Sequence, residues 1–516
     1  MTQTTANKTI VTPGLAFPDV IFEQTDTGAY IVYNRHEQKF LVNNNPWNSF
    51  THNETRYIPL KRVPWPTAHI PKDYGSEEAL FNNIKNFFIE HLDVANELMY
   101  DVYAAFVLAS WLPENFTVVP YLFFLGPLAS GKTRALECFH RLCYRSIMAT
   151  SISAASLFRA LEAWHPTILL DETEIYNRKE MVEVLAILNS GYRRGQYAIR
   201  IEKVQNNVPQ IAVFDTFGFK VLAGTQELAD TLQSRCIITK MSKAVRPVRL
   251  FIDEEEAQEL RNQLLMYRFK NLSQSQQPNH LEENECQGNS RVLELFVSLF
   301  HVAPTPTIKD HLKQAMKQIV QTRLNEEQTS IEARVLDAIL KCEGKVENGK
   351  LTIQAVTEAY NESLPEKEQF TSRQIGRIVA RLGFEKCKAG SKGLAGFFWD
   401  TKIIERLKMR YYPNLTIPKI TPVTSETPTV HTTNNHKTGE TGVSGEKPER
   451  PLPLNTPWLQ LNEIKAVYWN DGFFDWHPCA VCGYTKLTAW KAEPFKGEAA
   501  WICEDCKEQW EKQHDF

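Results

Sequence analysis

Gly126–Thr133 reads GPLASGKT and joins an apolar run, FTVVPYLFFLG, to a segment of helical pattern over 134–146. No other stretch constrains the chain as tightly. G-x-x-x-x-G-K-[ST] after a strand and before a helix is the signature of a phosphate-cradling loop. The loop comprises Gly126, Pro127, Leu128, Ala129, Ser130, Gly131, Lys132 and Thr133. Its glycines allow backbone amides to approach phosphate oxygens, and the helix N-terminus adds a favourable dipole. Lys132 is expected to reach the β- and γ-phosphates of ATP, and the Thr133 hydroxyl to bind Mg²⁺.

The residues downstream fit the same chemistry. TILLDE is four apolar or β-branched residues followed by Asp171 and Glu172. Asp171 is expected to hold the Mg²⁺ shell and Glu172 to polarise the attacking water. Two acids at a strand end are common, and they gain meaning only beside the loop. FKVLAGT ends another strand on Thr225, whose hydroxyl either orients the water or simply closes the strand. In LQSRCIITK, Arg235 lies between a helix and a strand. From there an arginine either neutralises transition-state charge in a neighbouring subunit or makes a surface salt bridge.

Strands alternate with helices over 116–250, the pattern of an α/β core. A chain of 516 residues exceeds one compact domain. The flanking patterns give a β-containing N-terminal region (1–72), a helical collar (73–115), a helical lid (251–325), a second helical unit (326–413), a Thr/Pro-rich linker (414–457) and a Trp- and Cys-rich tail (458–516). No internal repeat is visible.

The order of Gly126–Thr133, Asp171–Glu172, Thr225 and Arg235 resembles an AAA+ ATPase. ILNSGYRRGQYAIRI followed by FKVLAGTQELADTLQSRCI resembles a family of helicase-like ATPases of phages, plasmids and integrated elements, several of which accompany primases. The match covers about 70–320, and is similar at greater distance to minichromosome maintenance and superfamily 3 helicases. It implies a homo-oligomeric ring around single-stranded DNA, with any primase in a separate chain. NSRVLELFVSLFHVA resembles a lid helix, which implies that Arg291 is a second sensor reaching the γ-phosphate. The alternative is a helix-surface arginine. Thr225 stands where many relatives carry Asn.

QYAIRIEKVQNNVPQIAVFDTFG alternates polar and apolar residues on both sides of a polar tip and reads as a β-hairpin. In the resembling helicases such a hairpin grips DNA, which implies a phosphate contact for Lys203, with Arg193, Arg194 and Arg200 nearby. The alternative is a hairpin solvated on one face.

Residues 327–412 read as three helices followed by a two-stranded wing, the order of a winged helix-turn-helix. Arg373, Arg377 and Arg381 share one face of the third helix, which Thr371 can cap. Thr371–Arg410 holds ten Lys/Arg against three Asp/Glu, a local net of +7 suited to phosphates. Winged helices also bind protein. In the tail, Cys479, Cys482, Cys503 and Cys506 form C-x₂-C-x₂₀-C-x₂-C, the spacing of a zinc ribbon holding Zn²⁺.

The expected fold is therefore α/β: an AAA+ P-loop core with a helical lid, a winged helix-turn-helix and a C-terminal zinc ribbon. The expected function is an ATP-hydrolysing motor on DNA. An ATP-switched DNA-binding regulator or loader, and a remodeller of proteins, use similar parts. The formal net charge is -3, so nucleic-acid binding falls to local patches. No basic n-region precedes an apolar core and no run of about 18 apolar residues occurs. A cytoplasmic protein without a membrane segment is expected.

Overall fold

The computed structural model describes residues 8–41, 47–171, 182–205, 208–272, 290–390 and 393–412, and in the tail 464–469, 475–478, 481, 485–488, 490–494, 500–501 and 506–507. Two compact units are present, Met1–Pro418 and Lys419–Phe516.

The first unit opens with β1 (Lys8–Val11), β2 (Gly14–Ala16), β3 (Val20–Gln24), β4 (Tyr30–Asn34), β5 (Lys39–Phe40), β6 (Phe50–His52) and β7 (Thr55–Ile58). They form two small sheets, ordered β1-β7-β6 and β2-β3-β4-β5. β3, β4 and β5 pair antiparallel in succession. Two helices follow, α1 (Glu77–His91) and α2 (Leu98–Ser110). Ser76 caps α1 by accepting from the Ala79 amide, and Leu80, Phe81, Ile84, Phe87 and Phe88 make its buried stripe. α2 is buried all round, as its apolar sequence demands.

The core comprises β8 (Tyr121–Leu125), α3 (Lys132–Leu142), β9 (Ile147–Ala149), α4 (Ala154–Trp164), β10 (Ile168–Leu170), α5 (Val182–Ser190), β11 (Tyr197–Gln205), β12 (Val208–Asp215), β13 (Lys220–Gly224), α6 (Asp230–Gln233) and β14 (Cys236–Lys240). β8, β9, β10, β13 and β14 form one five-stranded sheet, ordered β14-β8-β13-β10-β9. Every pairing in it is parallel. All strands therefore end on one edge, where Gly126, Asp171 and Thr225 begin their loops. β11 and β12 make a separate antiparallel hairpin between α5 and β13.

Side chains of β8 alternate between two cores. Leu122 and Phe124 join residues of α1, α2, α3 and the later helices α7 (Glu254–Asn271), α8 (Ser290–His301) and α9 (Pro306–Gln328). Tyr121 and Phe123 join residues of α4, α5 and α6 on the opposite face. The segments read as collar, core and lid thus pack around one continuous apolar core.

α10 (Ile331–Lys341), β15 (Lys350–Thr352), α11 (Ile353–Asn361), α12 (Ser372–Arg381), β16 (Lys386–Ala389), β17 (Leu394–Phe398) and α13 (Thr401–Tyr411) have a core of their own. The sheet order β15-β17-β16 gives a three-stranded antiparallel sheet rather than two strands. β15 ends on Thr352, which caps α11 by accepting from the Ala355 amide. In the second unit, β18 (Ile464–Trp469), β21 (Trp490–Pro494) and β22 (Ala500–Trp501) form one antiparallel sheet, and β19 (Asp475–Pro478) pairs with β20 (Thr485–Thr488). Among the described residues no helix is long and apolar enough to cross a membrane.

One buried ionic network ties the N-terminal region to the core. Glu23 of β3 accepts from Arg145 Nη2 at 2.8 Å, from Tyr144 Oη at 2.6 Å and from Arg268 Nε at 2.8 Å. Arg268 also donates to both carboxylate oxygens of Glu114, at 2.9 and 2.7 Å, and to the Trp111 carbonyl at 2.7 Å. The Arg268 and Glu23 side chains are 1% and 5% exposed. Removing one partner leaves the other charge buried and uncompensated. Arg268→Ala is expected to destabilise the first unit by about 3–5 kcal/mol in a chemical denaturation series. An unchanged midpoint would remove this network from the account of stability.

Candidate functional site

β8 delivers the loop Gly126–Thr133 to the sheet edge. Gly126 N donates to Gly224 O at 3.2 Å, and Met241 N to Leu125 O at 2.7 Å, so the loop is flanked by the chain leaving β13 and β14. A Cβ at Gly126 would lie 2.4 Å from Met241 O, which only glycine avoids. Gly131 has φ +90° and immediately precedes α3, turning the loop into the helix. Ala129 also adopts a positive φ, 59°. Pro127, Leu128 and Ala129 are exposed at the loop tip. Ser130 Oγ is buried without a hydrogen-bond partner among the described residues.

Lys132 Nζ lies under the loop and donates to Gly126 O and Pro127 O, both at 2.8 Å. Thr133 Oγ1 donates to Asp171 Oδ2 at 2.8 Å, joining the first turn of α3 to the end of β10. Thr225 is exposed where β13 ends, in register beyond the Gly224–Leu125 pair. Thr133, Asp171 and Thr225 therefore surround the mouth of one loop. Glu172 lies outside the described residues.

The arginines assemble elsewhere. Arg235 precedes β14, at the start of the parallel strands, and its carbonyl accepts from Tyr121 N at 3.1 Å. Six residues of strand separate that level from Gly126, roughly 20 Å. Arg235 packs over the Tyr192 ring at 4.6 Å, donates to the Thr231 carbonyl, and keeps Nε buried without a partner among the described residues. Arg291 lies over the same ring at 5.0 Å and donates to Tyr192 Oη at 2.6 Å and Glu294 Oε2 at 2.9 Å. The resemblance implied that Arg291 reaches the γ-phosphate. Arg291 instead shares Tyr192 with Arg235, and the Tyr192 carbonyl accepts from Val119 N ahead of β8, at the end of the sheet opposite the loop of its own chain. Tyr192, which organises the cluster, carried no signal beyond standing next to Arg193 and Arg194.

The arginines expected around the hairpin are engaged internally. Arg193 pairs with Glu294 at 2.8 Å. Arg194 donates to Pro113 O at 3.0 Å and Phe116 O at 3.2 Å and lies over the Phe217 ring. Arg200 lies 3.5 Å from Glu183. Lys203 is on β11, and its side chain lies outside the described residues. One hairpin face packs Phe214 against Phe158 of α4. The other leaves Tyr197, Ile199, Ile201, Ile211 and Val213 at least 53% exposed. The solvated face is thus apolar.

In the second helical unit, Thr371 and Gln374 form a capping box at the start of α12. Arg373 and Arg377 are exposed on one face, while Arg381 pairs with Glu332 at 2.9 Å. Cys506 is buried, and Cys479, Cys482 and Cys503 lie outside the described residues. Among the described residues no group of His, Cys, Asp and Glu is assembled to hold a metal ion.

No family model and no curated protein matches the chain. Among solved structures, the chain is similar to the C-terminal region of NrS-1, with 13% identity, 74% of this chain and 96% of that chain covered, and a TM-score of 0.32. It is similar to a full-length MCM homologue from Methanopyrus kandleri, with 9% identity, 59% and 74% covered, and a TM-score of 0.30. It is also similar to JCV helicase, with 14% identity, 50% and 64% covered, and a TM-score of 0.21. TM-scores this low leave the reading of this chain to its own geometry.

Gly126→Ala is expected to weaken ATP binding at least about tenfold, equivalent to about 1.4 kcal/mol, with the circular dichroism spectrum unchanged. Undiminished affinity would show that the close approach to Met241 does not shape the loop.

Proposed function

We propose that this protein is an ATP-hydrolysing AAA+ motor that acts on DNA, with its active sites shared between subunits of a homo-oligomeric ring. The observation that carries the reading is the 2.8 Å bond from Thr133 to Asp171 at the mouth of the Gly126–Thr133 loop. A hydroxyl and a carboxylate in contact there, beside a lysine held under the loop, are the donor set that Mg²⁺-bound ATP requires. The Ser130 hydroxyl, buried and unpartnered among the described residues, and the glycine cradle fit a phosphate group as well.

In this reading Lys132 exchanges its loop carbonyls for phosphate oxygens and neutralises their charge. Thr133 and Asp171 would hold Mg²⁺, which when bound supplies Lewis-acid charge to the phosphates. Glu172 accepts the proton of the attacking water, and Thr225 orients that water from the neighbouring strand end. Arg235 and Arg291, too far from the loop of their own chain, serve the loop of the next subunit. The exposed apolar face of the hairpin supports assembly, since a patch of this kind marks a contact surface with another copy.

For DNA, support comes from the helix–strand–helix–helix–strand–strand order of α10 to β17 and the exposed Arg373 and Arg377 on α12, which fit a winged helix facing phosphates. Lys203 at the hairpin is assigned a phosphate contact in the ring pore. The C-terminal unit is read as a zinc ribbon holding Zn²⁺ through Cys479, Cys482, Cys503 and Cys506, the first two lying in sequence between the paired β19 and β20. A primase, where the system uses one, is a separate chain.

ATPase rates with and without single-stranded DNA test the proposal. The wild type is expected to hydrolyse ATP faster with DNA, and Lys132→Ala or Glu172→Gln to lower turnover about 100-fold or more. Full activity in Lys132→Ala would refute the site assignment; indifference to DNA would refute the substrate.

A further inference from the structure

Lys220 is the first residue of β13 and is wholly buried, although a lysine at the start of an apolar strand contributes nothing that leucine or methionine would not pack better. Its ammonium has three N–H donors, and three carbonyls surround it. Nζ donates to Gly218 O at 2.9 Å, to Thr216 O at 3.2 Å and to Gly191 O at 3.4 Å, and sits 4.8 Å from the Tyr121 ring centroid. Burial pulls its pKa down to about 7, opposed by the Asp215 carboxylate.

The three acceptors come from both legs of the hairpin. Gly191 lies on the chain entering β11, and Thr216 and Gly218 on the chain leaving β12. The legs are so close that a Cβ on Gly191 would meet Thr216 O at 2.2 Å and Lys220 Nζ at 2.6 Å. Gly218 N donates to Gly191 O at 3.1 Å, and Ser190 Oγ lies 3.0 Å from Thr216 Oγ1. Tyr121, in register with Lys220 on the adjacent strand, donates its hydroxyl to Leu188 O at 2.8 Å, at the end of α5.

β13 therefore carries a lysine that holds both hairpin legs, and β8 a tyrosine that holds the last turn of α5 ahead of the hairpin, while both strands lead to the candidate nucleotide site at their other ends. Lys220 is joined by one buried strand to Thr225, and Tyr121 by its neighbour to Gly126. The pair remains in register from Lys220–Tyr121 to Gly224–Leu125.

We propose that Lys220 is a positioning residue that couples the nucleotide site to the β11–β12 hairpin, transmitting movement of β13 to both hairpin legs through its three carbonyl contacts. This rests on the nucleotide reading above and adds the route by which it reaches the hairpin.

The test uses the full chain, a non-hydrolysable ATP analogue, and hydrogen exchange of the amides of Tyr197–Gln205 and Val208–Asp215. In the wild type the analogue is expected to change hairpin exchange by about threefold or more. Lys220→Met is expected to bind the analogue within about twofold of wild type while its hairpin no longer responds. A hairpin in Lys220→Met that responds as in wild type at equal occupancy overturns the proposal. Parallel loss of affinity and response also overturns it, since that is a purely structural role. The wild-type chain provides a test even if the variant fails to fold: bound analogue without any hairpin response defeats the coupling. A wild type that binds no analogue defeats the nucleotide reading itself, which separates the two failures.

Discussion

β13 is buried along its whole length and hydrogen-bonded on both edges, to β8 and to β10. Its insertion between those two strands fixes the rest of the architecture. It sets Thr225 between the phosphate-type loop and Asp171, and it forces the chain joining α5 to β13 to return to the opposite edge of the sheet. That returning chain is the β11–β12 hairpin. Because every pairing in the sheet is parallel, its two edges differ in chemistry. One collects Lys132, Thr133, Asp171 and Thr225. The other collects Arg235, Arg291, Tyr192 and Lys220.

This separation shapes the functional reading. Neither Arg235 nor Arg291 reaches the Lys132 site of its own chain, and both are gathered on one tyrosine ring. Under the proposed function, phosphate-binding and charge-neutralising groups divided between opposite ends of the sheet complete one site only where two copies meet. In the same reading, the exposed apolar face formed by Tyr197, Ile199, Ile201, Ile211 and Val213 of the hairpin is a contact surface for a second copy.

Much of this was legible in the sequence, for identifiable reasons. The strand–loop–helix around Gly126–Thr133 is a local pattern, and so are the apolar runs ending in Asp171 and Thr225, because each element is specified by neighbours in sequence. The hairpin alternation and the Thr371 cap are equally local. β9 and α4 were harder to single out, since three apolar residues of a strand have no readable period. The position of Arg291 was not legible, because it depends on how α8 packs beside Tyr192, more than ninety positions away in the chain. Lys220 left a faint trace, a lysine inside the apolar run FGFKVLAG, yet its three carbonyl partners exist only once the hairpin legs have closed.

The central claim is that each active site is built from two chains. Mixing Lys132→Ala, which keeps its arginines, with Arg235→Ala, which keeps its phosphate loop, tests this most directly. The account predicts that two preparations nearly inactive alone regain ATP hydrolysis when combined, because the mixed interface restores a complete site. A mixture as inactive as its components, with assembly verified by mass photometry, would contradict it.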